Sequence, residues 1–166
     1  MKKVTVKELT NDNFKVYGSF SNMINPKTPK LGQEPVEFYR DMATLKLGQT
    51  GVAAFSVTRV VKRPNIIDAI EYHNYTGEAM LPLDGDVLIH LAPATPVHAG
   101  LPLDQIEVFR VPKGTLVVVN PGVWHCGPFT DGSDCVNVLV VLPERTYAND
   151  CIFKVLDEKD RIEIVT

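Results

Sequence analysis

Twelve prolines and eleven glycines, scattered along the 166 residues rather than clustered, cut this chain into short runs rich in Val, Ile, Leu and Thr. Short β-branched runs bounded by turn residues build strands rather than packed helices. The pattern predicts strands over 43–47, 52–60, 66–72, 78–82, 86–91, 106–111, 115–120, 135–142 and 152–155. Turn dipeptides separate several of them: Asp84-Gly85, Lys113-Gly114, Pro121-Gly122 and Asp131-Gly132. Only the beginning reads differently, where Thr10 to Asn13 offer cap residues before a short amphipathic stretch over 14–20, and one short helix is expected there. Residues 21–35 read as a surface loop. Strands this short must close on themselves or pair as two sheets to avoid exposed edges. The expected fold is therefore all-β, a sandwich, barrel or jelly roll with a short N-terminal helix, in a single domain over 1–166.

Composition narrows the function classes. Seventeen basic residues against twenty acidic give a net charge of -3, so the chain lacks the basic footprint on which nucleic-acid binding depends. Its longest apolar stretches, such as 116–119 and 138–142, fall far short of the ~20 residues that cross a bilayer. The opening Met-Lys-Lys-Val-Thr-Val is interrupted at once by Lys7 and Glu8, so no export signal is expected. Cys126, Cys135 and Cys151 are odd in number and form no C-x-x-C pair, which fits reduced thiols in a cytoplasmic protein. Neither a nucleic-acid nor a membrane partner is expected.

Two of the four histidines stand in informative surroundings. Glu71 and His73 are two apart, which on a strand places both side chains on one face. Glu78 follows five residues later across a connection short enough to return it to that face. Downstream, Asn120-Pro121-Gly122-Val-Trp124-His125 is a tight turn with a histidine at the start of the next strand. His90, inside an apolar run, reads as a hydrogen-bonded barrel residue or an outward polar one, and His98, in a proline-rich loop, as a surface residue. The three cysteines read as small hydrophobes, with Cys126 singled out only by its position beside His125. Arg59 sits among Phe55, Val57, Val60 and Val61, where a buried guanidinium needs an anionic partner, structural or a substrate carboxylate.

The pair of segments resembles the two motifs of the cupin superfamily. His73-x4-Glu78-x6-Gly85 matches the tail of the first motif, with Glu71 where its first histidine usually stands, and Gly114, Pro121, Gly122 and His125 follow the framework of the second. Other features are similar to the ureidoglycolate lyase family within it. They are Leu9-Thr-Asn-Asp-Asn-Phe14, Tyr17-Gly18, Tyr39-Arg-Asp41-Met-Ala43, Thr58-Arg59, Pro82 and Val-Trp124-His125. The resemblance implies a cupin-like jelly-roll β-barrel, a homodimer, and cleavage of ureidoglycolate, a small hydroxy acid, to glyoxylate and urea. It also implies a mouth where Glu71, His73, Glu78 and His125 meet.

Two carboxylates and two imidazoles suit a divalent metal such as Zn, Mn, Ni or Fe(II). Without metal, the two carboxylates would push one pKa upward and leave a general acid or base near neutrality. On this reading Glu71, His73 and His125 are catalytic, Arg59, Asn120 and Trp124 bind substrate, and Glu71, His73, Glu78 and His125 hold the metal. Another cupin reaction on a sugar acid or keto acid, or binding of a small carboxylate without turnover, would use the same residues. His125, at a barrel mouth, is expected to be replaceable by Ala without loss of the fold.

Overall fold

The computed structural model describes residues 1–49, 51–96 and 98–166. The strands are β1 Lys2–Glu8, β2 Gly18–Asn22, β3 Lys30–Gln33, β4 Val36–Tyr39, β5 Ala53–Val61, β6 Ile66–Ile67, β7 Ala69–Tyr72, β8 Glu78–Pro82 and β9 Asp86–Leu91. They continue with β10 Glu107–Val111, β11 Thr115–Val119, β12 Phe129–Asp131, β13 Cys135–Pro143, β14 Ile152–Val155 and β15 Ile162–Val165. Two single-turn α-helices, α1 Asn11–Phe14 and α2 Thr146–Asn149, and two 3-10 turns, Leu103–Gln105 and Glu158–Asp160, complete the list. Among the described residues no helix is long and apolar enough to cross a membrane.

The expected all-β jelly roll is what the chain adopts. A six-stranded sheet, ordered β12-β9-β10-β1-β15-β6, faces a five-stranded sheet ordered β2-β11-β8-β13-β5, while β14-β7 and the hairpin β3-β4 pair separately. Between the two large sheets lies one apolar cluster, including Val87, Ile89, Leu91, Phe109, Met80, Val117, Val138 and Val140. Leu88 and Val108, on the other face of the six-stranded sheet, join a second cluster with Ile67, Ile70, Trp124, Phe129 and Ile162. With both faces covered, β9 has no outward polar positions to alternate, which is why Val87 to Leu91 is apolar almost without a break.

The departures from expectation have local causes. Thr10 caps a helix of one turn, its Oγ1 accepting from the Asn13 N–H while Asn13 Oδ1 accepts from the Thr10 N–H. The helix stops well short of residue 20 because the backbone at Gly18 packs against β11; a Cβ there would stand 1.8 Å from the Val118 carbonyl oxygen. The segment read as a loop over 21–35 holds the end of β2 and all of β3, which forms an exposed hairpin with β4. Residues 43–47, expected as a strand, join no ladder; the Lys46 carbonyl accepts from the Gly77 N–H and the Thr76 hydroxyl instead. The strands β1, β12 and β15 were not expected.

Candidate active site

Backbone pairing brings the two histidine neighbourhoods together. Asn120 to Val123 form a type II turn, with Pro121 fixing the first central position and Gly122 taking the left-handed one at φ 80. That turn delivers His125 opposite Glu71, and the two exchange backbone hydrogen bonds of 2.6 and 2.8 Å. The Gly122 N–H also donates to the His73 carbonyl at 2.7 Å. The connection from His73 to Glu78 closes tightly on β11, since a Cβ at Gly77 would stand 2.6 Å from the Val119 carbonyl oxygen.

His73, just past the end of β7, Glu78, opening β8, and His125 therefore meet, and Glu71, on β7, stands beside both histidines. Glu78 Oε2 lies 3.0 Å from His73 Nε2 and 3.1 Å from His125 Nε2. These three side chains are buried, while Glu71 is half-buried. One ligand atom each from Glu71, His73 and His125 falls within 4.8 Å of the others.

The far ring nitrogens determine the chemistry of this cluster. His73 Nδ1 lies 2.6 Å from the Asp150 carbonyl oxygen, and His125 Nδ1 lies 2.8 Å from that of Val123. A carbonyl only accepts, so both Nδ1 atoms carry hydrogen and donate. In the neutral ring each Nε2 then aims a lone pair at a carboxylate oxygen. Three acceptors this close need positive charge between them, from protons or from a cation. The spacing suits a cation, because ligands about 2.1 Å from a metal and at right angles to each other stand about 3.0 Å apart. Glu71, His73 and His125 also offer a donor set that fits a divalent metal, with Glu78 set against both imidazoles.

Electrostatics follow the same geometry. Burial pushes the Glu78 carboxyl up, but hydrogen bonds and charge from His125 and His73 overcome this and leave its pKa at about 2. Glu78 is therefore not a carboxylate pushed upward by its neighbour, because two imidazoles face it. Burial lowers His125, yet the Glu78 hydrogen bond and charge leave it raised. In the metal-free protein the signs are opposite. A depressed Glu78 stabilises the fold above its ordinary value of 4.5 and loses this as pH falls toward about 2. A raised His125 stabilises below 6.5 and loses this as pH rises through its folded value. Urea denaturation of metal-free protein should therefore show a loss on the order of 2–3 kcal/mol from Glu78 between pH 5 and pH 2. The loss should be visibly shallower in Glu78→Gln, and parallel curves would show that Glu78 is not the paired group.

The residues expected to bind substrate are not gathered there. Arg59 is exposed on β5 beside Phe55 and Val57 and opposite Asn137, so it needs no buried counter-ion. Trp124 is a core residue, its Nε1 donating to Thr95 Oγ1 at 2.9 Å and its ring packed edge-on against Tyr72 at 4.5 Å. Asn120 lines a separate cavity of about 160 Å³ with Ser19, Thr44 and Lys46. His125 is not at an open rim but 3% exposed, so the expectation that Ala could replace it without cost to the fold does not suit its surroundings.

His90 is a buried barrel residue donating to the Ala69 carbonyl, and burial lowers its pKa to about 3. His98 is exposed. All three cysteines are free, and burial raises the Cys126 thiol to about 11, far from a reactive thiolate. Two residues with no sequence signal do touch the cluster. They are Asp150, through the carbonyl on His73, and Cys151, whose Sγ lies 3.0 Å from Glu71 Oε2.

Comparison with known proteins gives consistent results. A family model described as ureidoglycolate lyase matches residues 1–163. No curated protein matches the chain. Among solved structures, a dTDP sugar isomerase from Desulfovibrio desulfuricans G20 is similar at 13% identity and a TM-score of 0.52, covering 86% of this chain and 87% of that one. An oxalate decarboxylase from Bacillus subtilis matches at 13% identity and a TM-score of 0.42, over 63% of this chain and 24% of its own. The vicilin of Solanum melongena matches at 13% and 0.42, over 64% and 26%. At 13% identity the likeness to the isomerase is one of fold.

Proposed function

The chain belongs to the ureidoglycolate lyase family, and we propose that the cluster of Glu71, His73, Glu78 and His125 is where it cleaves ureidoglycolate to glyoxylate and urea. The observation that carries this is the convergence of both Nε2 atoms on Glu78 Oε2, with both Nδ1–H groups already engaged.

The reaction removes the proton from the substrate hydroxyl, converts that C–O bond to a carbonyl as the C–N bond breaks, and returns a proton to the departing nitrogen. It is redox-neutral and needs no co-reactant. A divalent cation held by His73, Glu78 and His125 would supply Lewis acidity that lowers the hydroxyl pKa, with Glu71 left as the base. Glu78, buried between two imidazoles, acts as a fixed anion that anchors them. Glu71 is half-buried and has one oxygen held by Cys151, so it is the carboxylate placed to accept the hydroxyl proton and pass it to nitrogen. Arg59 has no part in this assignment.

Elemental analysis of the purified protein, with urea and glyoxylate assayed before and after chelation, tests the proposal. The expected result is a stoichiometric divalent metal, equimolar products, and activity lost on chelation and restored by metal. Binding of small hydroxy acids without either product would establish a carboxylate-binding protein in its place.

A homodimer is part of the same proposal. On the outer face of the five-stranded sheet, Phe55 stands opposite Val141 and Val57 opposite Leu139, while Leu81 and Ala79 continue the row on β8. Phe55 is 72% and Val57 60% exposed, an apolar face of the kind that a second copy covers.

A further inference from the structure

The joint between α2 and β14 approaches the active-site cluster from behind. The Asp150 carbonyl accepts from His73 Nδ1 at 2.6 Å. Its carboxylate accepts from the backbone N–H groups of Asn74 and Tyr75, both at 2.8 Å, the two residues that directly follow His73. The Cys151 thiol donates to Glu71 Oε2 at 3.0 Å. Just beyond, β14 pairs with β7, setting Ile152 opposite Tyr72 and Phe153 opposite Glu71. One dipeptide thus contacts both residues of the first motif pair, on strands it also helps to hold.

We propose that Asp150 and Cys151 are positioning residues of the active site, Asp150 fixing the ring plane and tautomer of His73 and Cys151 the rotamer of Glu71. The proposal rests on the cluster being the active site. A carboxylate that merely capped a turn would account for the bonds to Asn74 and Tyr75. It would not account for a carbonyl aimed at the one ring nitrogen that must carry hydrogen for Nε2 to face the cluster. Cys151 likewise spends a weak donor on the half-buried carboxylate instead of packing among apolar neighbours. With the carboxylate clamp in place the Asp150 carbonyl cannot swing away, so the His73 lone pair stays aimed at the cluster. With the thiol on Oε2, the other Glu71 oxygen is left for a cation or a substrate proton.

Cys151→Ala removes the thiol contact, Asp150→Ala removes the carboxylate clamp on Asn74 and Tyr75 and so frees the retained carbonyl to move off His73, and Cys151→Ser keeps a donor. Three readouts apply: kcat and KM, the affinity for cobalt(II) measured against a chelator, and the hydrogen-bonded Nδ1–H resonance of His73 in the labelled protein. Cys151→Ala is expected to weaken cobalt affinity and lower kcat by on the order of 10-fold or more, with KM within about 2-fold, and Cys151→Ser to recover most of both. Asp150→Ala should lose the protected Nδ1–H signal. Ala variants that keep kcat, cobalt affinity and the Nδ1–H signal would overturn the proposal, as would a Cys151→Ala defect that Cys151→Ser leaves unrepaired. Should Asp150→Ala fail to fold, the two Cys151 variants decide the matter. The cobalt and resonance readouts need no substrate. A protein that passes them yet forms no urea would defeat the lyase assignment at this cluster, not the positioning role.

Discussion

His125→Ala should lower kcat by on the order of 10³-fold or more and reduce the unfolding free energy by about 3 kcal/mol. The first effect follows from removing one of two Nε2 atoms on Glu78 Oε2, and with it one of the proposed metal ligands. The second follows from burial. The imidazole is 3% exposed and Glu78 8%, so the variant leaves a desolvated carboxylate facing a void with only His73 for support. Part of the stability loss should return in a His125→Ala, Glu78→Gln double variant, which removes the uncompensated charge, whereas activity should not return. Parallel measurement of kcat and urea denaturation settles it. Unaltered stability in the single variant would mean that Glu78 and His125 are not paired in solution.

Phe55→Glu combined with Val57→Lys should convert a dimer to monomers, raising the dissociation constant by on the order of 10³-fold, the effect of losing two anchor side chains worth about 2 kcal/mol each. Both side chains lie on the outer face of β5, so the core between the sheets is untouched and the monomer should unfold cooperatively. Sedimentation velocity at micromolar concentration is the measurement. A monomeric parent, or a variant that stays dimeric, would remove this face as the interface.

Strands bounded by turn residues were the most legible part of the fold. β8, β9 and β14 occupy the expected spans because Gly, Pro, Asn or Asp stands close by them and their apolar content needs no distant context. β1 was invisible for the opposite reason. Its Lys-Lys-Val-Thr-Val-Lys-Glu reads as a charged terminus, and only parallel pairing with β10 and β15 makes it a strand. Residues 43–47 have strand-like composition and no ladder to join.

In the site, Glu71, His73 and Glu78 were legible because short local spacings fix their faces, and His125 because its Pro-Gly turn resembles the second motif. Asp150 and Cys151 reach their partners across 77 and 80 residues, a separation that leaves no local pattern. Arg59 misled because period-two alternation shows that a strand has two faces without showing which is inside. Phe55 and Val57 look like core in sequence and are exposed in the fold.

The placement of β1 between β10 and β15 bears on the order in which the fold can be completed during synthesis. During synthesis β1 gains its first neighbour only when residues 107–111 have emerged, and its second only with residues 162–165. Until then it is an unpaired strand available to any passing edge. Lys2, Lys3 and Lys7 sit along it, and lysine on an unpaired strand opposes adventitious pairing. The same charges that hid β1 as a strand would keep it solvated while it waits. The Asp150-Cys151 joint also emerges late, so a growing chain would acquire its ordered active site only as its sheet closes.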